Sequence, residues 1–80
     1  MQVRFVKWVD SAGNGHWERM SHLKSVTPLT IQSVGFLLDE TEEHITLVQS
    51  FDSQEGDEQH GDNLISIPKV AVIEVKELKL

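Results

Sequence analysis

Apolar and polar residues alternate from the first turn of the chain. Val3, Phe5 and Val9 fall on one side of an extended segment, and Arg4, Val6 and Trp8 on the other. A period of two with β-branched and aromatic residues predicts a strand. Because both sides carry apolar groups, the pattern predicts that this strand is covered on both faces. Ser11-Ala12-Gly13-Asn14-Gly15 then breaks the alternation with two glycines, which predicts a turn or loop. Trp17, Met20 and Leu23 follow at intervals of three, one face of about two helical turns. Pro28 excludes the α region at Thr27, so the spacing predicts a short helix over 16–25, with a further strand as the alternative.

From Leu29 onward the pattern is β. Ile31, Val34, Phe36, Leu37 and Leu38 lie within 30–39, Glu40-Thr41-Glu42-Glu43 is a polar turn, and a second run covers 44–51. The two runs are spaced for a hairpin, and Gly35 marks a bulge, a bend or a close backbone approach. The segment 52–63 has no apolar residue and five acids, which predicts a mobile acidic loop dispensable for folding. Leu64-Ile65-Ser66-Ile67 and Val70 to Val75 are two last strands, separated by a corner at Pro68-Lys69. Short, strongly bent strands of this kind let a small sheet close on itself. The fold class predicted is mainly β: a five-stranded, bent antiparallel barrel in one domain over 1–80, with one short helix. The core is expected at Phe5, Leu23, Ile31, Val34, Leu37, Ile45, Leu47, Ile67, Val72 and Ile73.

Length sharpens this picture. Eighty residues without cysteine cannot be braced by disulfides, and domains of this size are marginal alone. Burial against further copies of the chain is one remedy. No apolar run is long enough for a membrane helix, and the first residues lack a signal-peptide pattern, so the expected location is cytoplasmic, with no membrane partner. The net charge is −6, which argues against tight binding to duplex DNA or anionic lipid. That charge is unevenly placed. Arg4, Lys7, Arg19 and Lys24 against Asp10 and Glu18 leave the first 25 residues at +2 and the rest at −8.

The order of elements adds a family resemblance. A Gly-containing bent strand, an acidic turn, a third strand, a variable loop and a strand–corner–strand ending resemble the Sm-like (Lsm) barrel. Val34-Gly35-Phe36-Leu37-Leu38-Asp39 through Ile45-Thr46-Leu47 is similar to the first motif of that family, and Ile65-Ser66-Ile67-Pro68-Lys69-Val70 to the second. The whole chain also resembles small phage-borne proteins of this architecture. Those carry a Trp-x-Asp start, a Val-Gly-Phe/Trp strand and an Ile-Pro-Lys/Arg corner, here Trp8-Val9-Asp10, Val34-Gly35-Phe36 and Ile67-Pro68-Lys69. The resemblance implies an SH3-like barrel that assembles into a homo-oligomeric ring of about five to seven copies, the fourth strand of one copy pairing with the fifth of the next. It also implies a pocket for single-stranded RNA or a nucleotide. His44 stands near the family's base-holding Asn, and Pro68-Lys69 where the family has Arg-Gly. The candidate binding residues are therefore His44, Lys69 and Asp39, with a base stacked on His44 and a phosphate at Lys69. Phage encoding would place the protein in the host cell.

Other chemistry is sparse. His16, His22, His44 and His60 with Asp52, Asp57 and Asp62 lack metal-ligand spacing, the acidic loop lacks the EF-hand pattern, and no metal or cofactor is expected. There is neither a nucleophile elbow nor a phosphate-binding Gly loop, so the chain is read as non-enzymatic. Trp8 and Trp17 with Arg4 and Arg19 form a second candidate surface, aromatic and basic. The competing expectation is that both tryptophans anchor the helix on the barrel, since a domain with five aromatics needs them in its core. Three functions remain in contention: an oligomeric binder of RNA or a nucleotide, an assembly module with an unknown protein partner, and a sequestering protein for small cyclic nucleotides.

Overall fold

Five strands carry the chain: β1 (Val3–Asp10), β2 (Leu29–Glu40), β3 (His44–Phe51), β4 (Gly61–Pro68) and β5 (Val72–Leu78). They form one antiparallel sheet in the order β4-β3-β2-β1-β5 in the computed structural model, which describes residues 1–11, 15 and 17–80. Of the predicted Ser11–Gly15 turn, residues 12–14 lie outside the described residues, as does His16. The sheet is open. No ladder joins β4 to β5, and each is an edge strand. The five-stranded antiparallel sheet is as expected, and it stays open between β4 and β5.

β2 is the backbone of the design. Its first part, Leu29 to Phe36, pairs with β1, and its last part, Phe36 to Glu40, pairs with β3. One strand can serve two partners this way only if it bends, and Gly35 sits at the changeover. A Cβ at that position would lie 3.0 Å from the Leu47 Cβ and 3.2 Å from the Val48 carbonyl oxygen, so glycine permits the close approach of β3. A second irregularity follows at Leu38, where the register shifts between Leu37 and Asp39. Such bulges add bend and twist to a sheet.

The core lies on the inner face of this bend. Val6, Ile45, Leu47 and Ile67 are buried, with Trp8, Leu37, Ile65 and Val72 packed against them. The registers explain the grouping: Ile45 faces Ile67, and Leu47 faces both Leu37 and Ile65. Burial of an aliphatic side chain stabilises by about 1.5–3 kcal/mol, so these few residues hold most of the sheet together.

Several expected core positions lie elsewhere. In β1 the inner parity belongs to Val6 and Trp8, and Phe5 is half-buried on the outer face. Val34 is 60% exposed and Ile73 56% exposed. Val34 points away from the core because Gly35 and Leu37 hold the inner parity of β2. Ile73 is the extra residue of a bulge, where Trp8 pairs with Val72 but Lys7 with Glu74. Val48, on the outer face, is buried instead, and so is Thr46.

The predicted helix shrinks to a single turn, α1 (Met20–Leu23), with no side-chain cap and no buried residue. Of its apolar stripe only Leu23 is even part-buried, because β1 and β2 carry this connection beyond the rest of the sheet. Trp17 is fully exposed and Met20 largely so, which corrects the expectation that Trp17 anchors a helix. An isolated helical turn without packing does not propagate.

The acidic loop is shorter than predicted. Residues 61–63 already belong to β4, Gly61 and Asp62 pairing with Phe51 and Ser50, since exposed edge residues can join a ladder without apolar side chains. The remainder contains a 3₁₀ turn, Gly56–Glu58, and is closed at its base by the Asp52 amide donating to the His60 carbonyl at 3.0 Å. Because that base is closed by backbone and every loop residue is exposed, replacing residues 53–59 with a shorter glycine-containing link should move the melting temperature by less than about 4 °C. A thermal scan by circular dichroism checks this, and a larger loss would assign the loop a packing role.

Candidate functional site

The β2–β3 turn and the β4–β5 corner meet at one end of the sheet. Thr41 organises the turn: its Oγ1 accepts from the amides of Glu43 (3.1 Å) and His44 (3.2 Å), and its own amide donates to the His44 carbonyl at 2.9 Å. A hydroxyl that mimics a backbone acceptor is the usual reason for Thr in a tight turn. The corner is a 3₁₀ turn, Lys69–Ala71, entered through Pro68. It docks on the first turn twice, through the His44–Pro68 pair of the ladder and through the Lys69 amide, which donates to the Glu43 carbonyl at 2.8 Å.

All three candidate binding residues reach this end. The His44 ring is fixed from two sides, with Nδ1 3.2 Å from Thr41 Oγ1 and Nε2 3.5 Å from Asp39 Oδ2. Lys69 turns its Nζ to Glu40 Oε2 at 3.0 Å, and Arg4 Nη1 approaches Glu40 Oε1 at 3.2 Å. Arg4 also donates through Nη2 to Gln2 Oε1 at 3.0 Å. Glu40 therefore bridges two cations, one from β1 and one from the corner. The side-chain hydrogen bond from Lys69 is the largest influence holding the Glu40 carboxyl below its ordinary value of 4.5, followed among the favourable ones by the charges of Lys69 and Arg4, with burial opposing them.

Replacing Glu40 with glutamine should lower stability at neutral pH by less than about 1 kcal/mol, because the group is part-exposed and screened. The sign follows from the lowered pKa. The contribution is present above 4.5 and disappears as the pH falls through the folded-state value. Urea midpoints of the wild type and Glu40→Gln should differ at neutral pH and converge in acid. Equal midpoints at neutral pH would show the bridge to be neutral for folding.

The second candidate surface does not assemble. Trp8 donates from Nε1 to Ser33 Oγ at 3.0 Å and packs on the core, Arg4 is held by Glu40, and Trp17 and Arg19 lie in the connection between β1 and β2. Among the described residues, no group of three His, Cys, Asp or Glu side chains is placed to hold a metal ion, and no helix is long and apolar enough to cross a membrane. Glu40, Thr41 and Glu43 are the residues that sequence reasoning missed. A readable signal existed for Glu40, a charged residue opposite Ile45 on the apolar parity of the hairpin.

Comparison with protein-family models, with curated proteins and with solved structures finds no significant match to this chain. The geometry of the turn and the corner is therefore the main guide to what this end of the molecule does. It offers one flat, oriented imidazole beside a carboxylate, and one ammonium already paired with an acid. Such a set suits weak recognition of a planar group with a nearby negative charge.

Proposed function

We propose that this chain is a non-enzymatic, self-associating Sm-like barrel subunit that binds single-stranded RNA or a nucleotide weakly at His44. The observation that carries the reading is the meeting of the β2–β3 turn with the β4–β5 corner, which brings the His44–Asp39 pair and the Lys69–Glu40 pair to one end of the sheet. The strand order supports it as well, since β4 and β5 end the sheet with unpaired edges suited to pairing between copies. A base would stack on the His44 imidazole and hydrogen-bond to Asp39, while Lys69 would exchange Glu40 for a phosphate. That exchange makes binding weak and sensitive to salt.

Fluorescence anisotropy with U-rich and A-rich oligonucleotides at low salt tests the reading. Binding is expected with a Kd in the range of ~10–100 µM. Loss of a stacked base in His44→Ala should weaken it about tenfold. No binding in this range, or equal binding by His44→Ala, overturns RNA or nucleotide recognition at this site. A second reading, an assembly module for a protein partner without nucleic acid, is favoured by one observation: the carboxylate of Glu40 already compensates Lys69. A partner captured equally before and after nuclease treatment would favour that reading.

A further inference from the structure

The outer face of the sheet holds an apolar cleft that no part of this chain fills. Met1, Leu38, Val48, Phe51 and Leu64 form its apolar lining, Gln59, His60 and Gly61 complete one rim, and its volume is about 260 Å³. Leu38 and Leu64 are 49% and 60% exposed, while the Phe51 ring is braced edge-on by Phe36 at 5.0 Å between centroids. Small-molecule sites begin at about 300 Å³, so a cleft of about 260 Å³ is scaled for one large side chain.

A matching side chain projects from the opposite end of the molecule. Trp17 is fully exposed beside α1, with Met20 also exposed. Tryptophan leads the residue types that anchor protein contacts. The charges around the two features are opposite. Asp52, Glu55, Asp57, Glu58 and Asp62 lie on the loop and strand that border the cleft. Arg19 and Lys24 flank α1, and neither forms an ion pair among the described residues. Glu18, the acid nearby, is occupied by His22 at 3.2 Å.

The connection that bears Trp17 and the cleft of the same chain begin at opposite ends of β1. The connection bearing Trp17 leaves the sheet at the Asp10–Leu29 pair, whereas the cleft begins beside Met1, at the other end of β1. That separation is roughly 23 Å along the strand. We propose that the cleft receives Trp17 from a second copy of the chain, with Arg19 and Lys24 set against the acidic loop of that copy. Antiparallel side-by-side packing of two chains lets each place its Trp17 in the cleft of the other about a two-fold axis. It uses neither the β4 nor the β5 edge and stands apart from the ring and from the His44 site.

Fluorine NMR of the fluorotryptophan-labelled chain reads this contact directly, because the two resonances report Trp8 and Trp17 separately and Trp17→Phe assigns them. At about 10 µM the Trp17 signal should show full solvent access, and toward about 1 mM it should become protected while Trp8 stays unchanged. Added salt should shift that transition to higher concentration. Unlabelled Trp17→Ala chain, which keeps its cleft, should protect the labelled Trp17, whereas unlabelled chain carrying both Trp17→Ala and Leu38→Glu should not. Leu38 lies on a central strand and is half exposed, so the charge should leave the circular dichroism spectrum intact. If that variant misfolds, the salt dependence and the Trp17→Ala mixing experiment still decide. Trp17 exposed at every concentration overturns the proposal. Protection independent of concentration also overturns it, by placing the contact within one chain. Loss of edge pairing with Trp17 exchange retained would remove the ring alone.

Discussion

Ile67→Ala is expected to lower the unfolding free energy by about 2–5 kcal/mol, the range for deleting a buried aliphatic branch and leaving a cavity. Ile67 has no exposed surface and faces Ile45 across the β3–β4 ladder, inside a cluster of only four buried residues. A chain of this length has a total stability of roughly 4–12 kcal/mol, so this single change uses up a large part of it. The milder Ile67→Val should cost about 0.5–1.5 kcal/mol, and Val34→Ala, at a position 60% exposed, within about 0.5 kcal/mol. Urea denaturation of the four proteins at one fixed chain concentration orders them, and holding concentration constant keeps association out of the comparison. A Val34→Ala loss as large as that of Ile67→Ala would place the core on the other face. Ile67 also precedes the Pro68–Lys69 corner, so a cavity there should loosen the lysine against Glu43 and the turn that carries His44.

The second large effect is on mass in solution. With β4 and β5 both at sheet edges, pairing of one with the other between copies would be head-to-tail, and the ring proposed above is the closed form of that contact. β5 carries Glu74, Lys76 and Glu77, but Glu74 and Lys76 pair with each other, and Ile73 and Val75 beside them are exposed and apolar. Light scattering at micromolar concentration should therefore give several times the 9.1 kDa of the chain. Placing lysine at both Ile73 and Val75 adds the charges that natural edge strands use against pairing, and should return the mass to that of one chain. A wild-type mass of 9.1 kDa would defeat the ring and remove its share of the case for an Sm-like subunit.

Where one face of a strand is plainly apolar, the sequence was readable to the residue. The third strand was expected over 44–51 and occupies His44–Phe51, and Ile45, Leu47 and Ile67 fall in the core as their alternation implied. β1 was ambiguous because Val3, Phe5 and Val9 compete with Val6 and Trp8 for the interior. Only the pairing of Val6 with Ser33 and Val75, which puts it over the bend, decides between them. The bulges at Leu38 and Ile73 were hidden for a related reason. One extra residue reverses the parity beyond it, and nothing in a hydrophobic pattern marks the insertion. In the connection after β1, Trp17, Met20 and Leu23 have the spacing of a packed helix, but spacing does not reveal whether a surface lies opposite. The candidate site divides along the same line. Asp39 and His44 flank one hairpin turn, so their proximity follows from local sequence. The Lys69–Glu40–Arg4 bridge needs three strands in place before its members meet.

The pairing of β1 with β5 ties the first strand of the chain to the last. During synthesis β1 to β4 can therefore form their ladders in the order in which they emerge, while one side of β1 waits for Val72–Leu78. Translation proceeds at about 5–20 residues per second, so that side stays bare for seconds, long compared with the microseconds in which a hairpin forms. For as long as β5 is missing, β1 presents an open, apolar-flanked margin, the stage at which a chaperone that shields extended backbone would have the most to protect.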